Sequence, residues 1–200
     1  MTQVVMDCGI GNSRRYINVT NIVDVLEGRK TGLSKALSGY HAFTGCDFTS
    51  AFYRKGKVKA LDLIEKDDTG RFLNLFTNMG QVDGAVDFEV ASEFVCRMYG
   101  QSKEQDVDKA RYTKLMQMSG KIDKENPLAN IKKVDCALLP PSRQTLKKKM
   151  MRAHYVTVLW SHANTASPDQ GLSPTDYGWC CKEGLLQPTW FDGPSVLDSL

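Results

Sequence analysis

One acid followed, seven residues on, by a basic turn around a glycine is the arrangement in this chain with the clearest chemical use. Asp47 comes just after the apolar-periodic stretch SKALSGYHAFTG, and Arg54, Lys55, Gly56, Lys57 and Lys59 crowd the turn ahead of a second such stretch. A carboxylate held at the end of a core element can ligate a divalent cation. A cationic turn that opens a helix can hold a phosphate on the free N–H groups of the helix start. The pairing points to nucleic-acid chemistry. Asp47 is the metal-ligand and catalytic candidate; Arg54, Lys55, the Gly56 amide, Lys57 and Lys59 are the phosphate contacts. Taken locally, Asp47 could equally cap the next turn. The cations could be a solvated helix start, but they oppose the helix dipole, and a bound phosphate would relieve that conflict.

A second basic run, Arg143 with Lys147–Lys149 and Arg152, lies near the start of a long helix. A solvated face is the simpler reading there, and Lys132 and Lys133 form a weaker version. His41 and Asp7 read as structural. Trp179 and Trp190 read as a small packing cluster rather than a base-stacking platform.

Several elements must position these groups. Residues 3–6 and 15–19, punctuated by Gly9 and Gly11, read as a hairpin or as two short strands. Thr20 is a candidate N-cap for NIVDVLEG, with Gly28 as its stop. Leu33, Ala36, Leu37 and Tyr40 mark a helix over 32–43, and Val58, Leu61 and Ile64 mark one over 57–66. Thr69 and Asp87 are candidate caps for two more helices, with Phe72, Leu73, Phe76 and Met79 inward in the first. A further helix is expected over 105–118. Pro140–Pro141 and then Ser142 open the long helix to about 162, with Leu146, Met150, Ala153, Thr157 and Trp160 inward. Residues 164–177 read as a linker, and a last hairpin turns at Glu183–Gly184.

Two hundred residues with 42% apolar and 24% charged content suit one domain with a real core. The net charge of +3 makes the basic signal local rather than global. The six cysteines include no CxxC pair and, with three histidines, show no zinc-ligand spacing, so they read as reduced thiols. There is no signal-peptide pattern and no membrane-length apolar run. The expected setting is soluble and intracellular, compatible with the nucleus.

Over Gly45–Ile64 the sequence resembles the flap-endonuclease and XPG-type members of the PIN-like nucleases. In that family a helix ends in Gly-x-Asp-aromatic and a helix-two-turn-helix follows. Gly45, Asp47, Phe48, Gly56, Ala60, Leu61, Asp62, Leu63 and Ile64 occupy those positions without a gap. The wider chain, through CGIGNSRRYINV, HAFTGCD, LPPSRQTLKKKMMRAHY and DYGW, resembles PIN-like proteins of mobile-element character from aquatic animals.

The resemblance implies a divalent-metal-dependent DNA nuclease, with Asp47 as one ligand to Mg²⁺ or Mn²⁺ and the helix-two-turn-helix gripping the DNA backbone. Two departures stand out. The family's earlier acids come from upstream of this point, and this chain begins too late to contain them. Arg54 replaces the first turn glycine, and Lys57 the usual proline. The competing expectation is therefore a non-catalytic helical module for binding DNA or protein, descended from such a nuclease. The expected fold is mainly α with short β elements, the C-terminal portion of an α/β PIN-like domain. It divides into 1–118 with a helix-two-turn-helix at about 48–66, 119–163 with the long basic helix, and 164–200 with a linker and hairpin tail.

Overall fold

The computed structural model describes residues 3–119, 134–190 and 192. Among these the chain is mainly helical, as the apolar periodicity predicts, with two small antiparallel strand pairs. Strands β1 (Val5–Cys8) and β2 (Arg15–Asn18) pair with Val5 opposite Asn18 and Cys8 opposite Arg15. Asp7 accepts from Arg14 Nε at 3.0 Å within this hairpin, the structural role expected of it.

Helix α1 (Val19–Arg29) runs past Gly28, and its cap is Asn18, whose Oδ1 accepts from the Asn21 N–H at 3.0 Å. Thr20, the expected cap, instead accepts from the Val4 N–H at 2.9 Å and ties helix to hairpin. Helices α2 (Leu33–Thr44), α3 (Lys57–Glu65), α4 (Arg71–Asn78) and α5 (Phe88–Met98) then surround an aromatic core. Gly39 lets α4 come close, since a Cβ there would lie 2.2 Å from the Phe76 carbonyl oxygen. The payoff is a T-shaped Phe76–Phe94 pair at 4.9 Å, joined by Phe72 at 5.2 Å from Phe94 and Phe43 at 5.6 Å from Phe76.

Two further helix starts differ from the sequence expectation. Asp67, not Thr69, closes the α4 start: its Oδ2 accepts from the Phe72 N–H at 2.9 Å and its Oδ1 from the Thr69 N–H at 3.1 Å. In α3 the buried stripe is Ala60 and Ile64, with Leu61 and Leu63 packed beside it. Val58, expected inward, is 77% exposed, because the face of α3 turned to the core is the one that carries Ala60 and Ile64. Asp87 and Ser142 do cap their helices, through the N–H groups of Glu89 and Val90 and of Thr145.

Helix α6 (Val107–Ser119) buries Val107 and Ala110. Helix α7 (Arg143–Ser161) places Leu146, Met150, Ala153 and Val156 in the same core as α2, α4 and α5. The long helix and the first 118 residues therefore share one interior. The hairpin of β3 (Trp179–Lys182) and β4 (Leu185–Pro188) turns at Glu183 and Gly184, both with positive φ. It docks on Arg152, which is 2% exposed and donates from Nη1 to the carbonyls of Gly178 at 3.0 Å and Thr189 at 2.7 Å. Trp179 and Trp190 pack around that guanidinium, with ring centroids 6.0 and 5.1 Å from it. Among the described residues, no helix is long and apolar enough to cross a membrane.

Candidate nucleic-acid interface

The segment between α2 and α3 is held from several sides. Gly45 takes φ 120°, and a Cβ on it would lie 2.5 Å from the Ala51 Cα, so this position requires glycine. Cys46 and Thr49 then close a tight turn, with Cys46 N–H to Thr49 O at 3.0 Å and Thr49 N–H to Cys46 O at 3.3 Å. Asp47 and Phe48 are the exposed centre of that turn. Thr49 Oγ1 donates to the Ala42 carbonyl, which pins the turn to the end of α2. Lys149, from α7, donates to the Ser50 carbonyl, and its Nζ lies 4.6 Å from the Phe52 ring.

Lys57 takes a different role from the phosphate contact expected of it. Its Nζ donates to the carbonyls of Gly45 at 2.6 Å and His41 at 3.2 Å, and lies 2.6 Å from His41 Nδ1. Three acceptors hold this ammonium at the C-terminal end of α2, where the helix dipole and the bare carbonyls favour a cation. Burial holds its pKa below the usual lysine range, opposed by Cys46. His41 stacks on Trp160 at 5.7 Å, and burial and then Lys57 depress its pKa, with Asp47 pulling the other way.

The remaining turn residues come together. Arg54, Lys55, Gly56 and Lys59 line a cleft of about 380 Å³ whose far wall is Arg97 and Tyr99 at the end of α5. Arg54 has φ 54°, a backbone conformation in which glycine is the unstrained residue, and its guanidinium lies over Tyr53 at 5.2 Å. Gly56 has an ordinary φ of −76° and nothing within 4 Å of a Cβ. The glycine requirement of this turn thus falls on the position that carries arginine. Gly56 is the N-cap of α3 without a side-chain cap, and no acid lies in the first turn. The first N–H groups of α3 therefore have no side-chain acceptor.

Lys55 sits 4.3 Å from the Tyr99 ring, and burial, then Lys114 of α6, then Lys59 hold its pKa below the usual lysine range. Arg97 is partly neutralised, donating from Nη2 to Glu93 Oε1 at 2.6 Å, and it covers Phe72 at 5.0 Å. Arg97, Tyr99 and Lys114 were not singled out from sequence. They reach the turn from helices distant in the chain, and no local pattern marks them.

The other basic run does not form a patch. Arg143 pairs with Glu89 and, at 3.3 Å, with Asp106, and it stacks on Phe88 at 4.6 Å. Lys148 pairs with Asp192 at 2.8 Å, while Lys149 and Arg152 point inward and are buried. Only Lys147 of this run is exposed. Lys132 and Lys133 lie outside the described residues.

Asp47 is exposed, and no group of three or more His, Cys, Asp or Glu side chains suited to a metal occurs among the described residues. One solvated carboxylate does not by itself fit a Mg²⁺ or Mn²⁺ centre, which combines several oxygen ligands. The arrangement suits anion binding at the cleft better than metal binding at the turn. Comparison with family models, curated proteins and solved structures finds no match to this chain.

Proposed function

We propose that this chain binds the phosphate backbone of DNA in the cleft between the 53–57 turn, the start of α3 and the end of α5. The observation that carries the reading is the convergence of Arg54, Lys55, Lys59 and Arg97 on one cleft at an uncapped helix start. Among the described residues, Arg54, Lys55 and Lys59 have no salt-bridge partner, so their charge is available to a phosphodiester. Backbone binding of this kind is electrostatic and needs no base contact. It matches the non-catalytic module descended from a PIN-like nuclease.

Divalent-metal-dependent phosphodiester hydrolysis is the second reading, favoured by the ungapped Gly45–Ile64 resemblance and by the fixed, exposed position of Asp47. Bound Mg²⁺ or Mn²⁺ would polarise the phosphate and supply hydroxide. Asp47 would be one ligand, and the others would have to come from beyond the described residues. Two assays on labelled DNA separate the readings. Binding that weakens in Lys55→Ala and Lys59→Ala, without cleavage in Mg²⁺ or Mn²⁺, supports the binding module. Cleavage lost in Asp47→Ala establishes the nuclease, and absence of binding at about 50 mM salt, where backbone contacts are strong, refutes both.

A further inference from the structure

The cleft between the 53–57 turn, α3 and α5 has two kinds of wall. Arg54, Lys55, Lys59 and Arg97 give it charge, and no carboxylate stands among its described lining residues. Leu63 of α3 and Met98 at the end of α5, both half-buried, give it an apolar side, backed by the buried Ala60 and Tyr99. Lys59 and Leu63 are four residues apart on α3, so a cation and an apolar group stand side by side on one helix face.

Phosphate alone does not account for both walls. A duplex turns its phosphates and sugars outward and keeps its base faces stacked inside, so its backbone would set charged and hydrated groups against Leu63 and Met98. An unpaired nucleotide carries both halves of the complement, an anionic phosphate and, one sugar away, a flat base with an open face. The cleft volume of about 380 Å³ is on the scale of one such unit, at the lower end of the roughly 300–1,000 Å³ of small-molecule sites. Tyr53 adds an independent observation. It is 46% exposed, and the guanidinium of the lining residue Arg54 lies 5.2 Å over its ring, which sets an aromatic and a planar cation in layers at the cleft rim. Aromatic rings and arginines beside a cationic groove are the means by which unpaired bases are stacked and held.

Resting on the backbone-binding reading of this same cleft, we propose that the form of DNA it takes is an unpaired strand. The phosphates meet Arg54, Lys55 and Lys59, one base enters against Leu63 and Met98, and a neighbouring base stacks on the Tyr53–Arg54 layer. A duplex reaches the cations but leaves the apolar wall and Tyr53 unused.

The test is fluorescence anisotropy of the full chain with three labelled probes of equal length: a base-bearing single strand, an abasic strand with the same phosphates, and a duplex. Salt is held at about 150 mM, where backbone contacts alone are weakened. The base-bearing strand binds at least about fivefold tighter than the abasic strand, the lower end of what stacking one base contributes, and tighter than the duplex. Tyr53→Ala narrows the gap between the base-bearing and abasic strands, and Tyr53→Phe keeps it. Equal affinities for those two strands, both still weakened by Lys59→Ala, would overturn the unpaired-strand proposal and leave backbone binding standing. A duplex bound as tightly as the base-bearing strand would overturn it too. Absence of binding by all three probes at about 50 mM salt would remove backbone binding itself, and the proposal with it. The comparison of probes is made on the unaltered chain and decides the matter even if a variant fails to fold.

Discussion

Lys149 offers the sharpest test of how this interior is built. It is 4% exposed, hydrogen-bonds the Ser50 carbonyl and has no carboxylate partner among the described residues. Burial, then repulsion from Arg152 and, more weakly, Lys57, pushes its ammonium from 10.5 down to about 7, with Cys46 opposing. A lysine whose folded pKa is depressed binds fewer protons in the folded state than in the unfolded state between those two values. Stability therefore rises with pH from about 7 towards 10.5. At pH 7 the mismatch disfavours folding by roughly 4 kcal/mol, and raising the pH to about 8.5 recovers roughly 2 kcal/mol of it. Lys149→Met removes the titration and keeps the stem packed on Phe52. It also leaves the Ser50 carbonyl without its donor, at about 1–3 kcal/mol. Urea unfolding at pH 7 to 8.5 checks the difference. Wild-type stability climbs over that window, while the variant gains less by the stated amount and is the more stable of the two at pH 7. Parallel curves for the two proteins would show that Lys149 is not a buried, depressed lysine.

Other substitutions separate roles within the loop. Arg54→Gly relieves a left-handed arginine and raises stability by about 1 kcal/mol while weakening DNA binding; Gly56→Ala changes stability little, and thermal melts with anisotropy check both. Lys57→Met uncaps the end of α2 and lowers stability by about 1–2 kcal/mol, yet leaves the salt dependence of DNA binding unchanged. On the acid side, His41 and His154 both have pKa values held below 6.5, so each penalises folding as the pH falls below 6.5 towards its folded value. Unfolding titrations from pH 7.5 to 5.5 check this, and His41→Gln reduces the loss by that residue's share.

Much of the framework was legible because its signals are local. Asp87 and Ser142 announce their helices by type and position, and the Glu183–Gly184 turn matches the backbone it adopts. Phe72, Phe76 and Met79 fall inward at the expected spacing. The cleft was legible only in part. Arg54, Lys55 and Lys59 are neighbours in sequence, but Arg97 and Lys114 meet them through the packing of α3, α5 and α6, which no local pattern encodes. Lys57 reads from sequence as a phosphate contact for the same reason: its acceptors, at Gly45 and His41, are brought near only by the fold of the loop. In the sequence Lys149 and Arg152 read as part of a solvated run, because charge outweighs position there. Both lie three residues from core positions 146, 150, 153 and 156 or adjacent to them, and their long stems let a charged head reach a carbonyl inside.

The salt dependence of DNA affinity tests the central claim most directly. Arg54, Lys55 and Lys59, with the partly neutralised Arg97, predict a log–log slope of roughly −3 for duplex DNA, from about 0.9 per phosphate contact. Lys59→Ala should reduce its magnitude by about 0.9, and Arg54→Ala with Lys59→Ala by about twice that. A slope near zero, or one that these substitutions leave unmoved, would contradict backbone binding at this cleft.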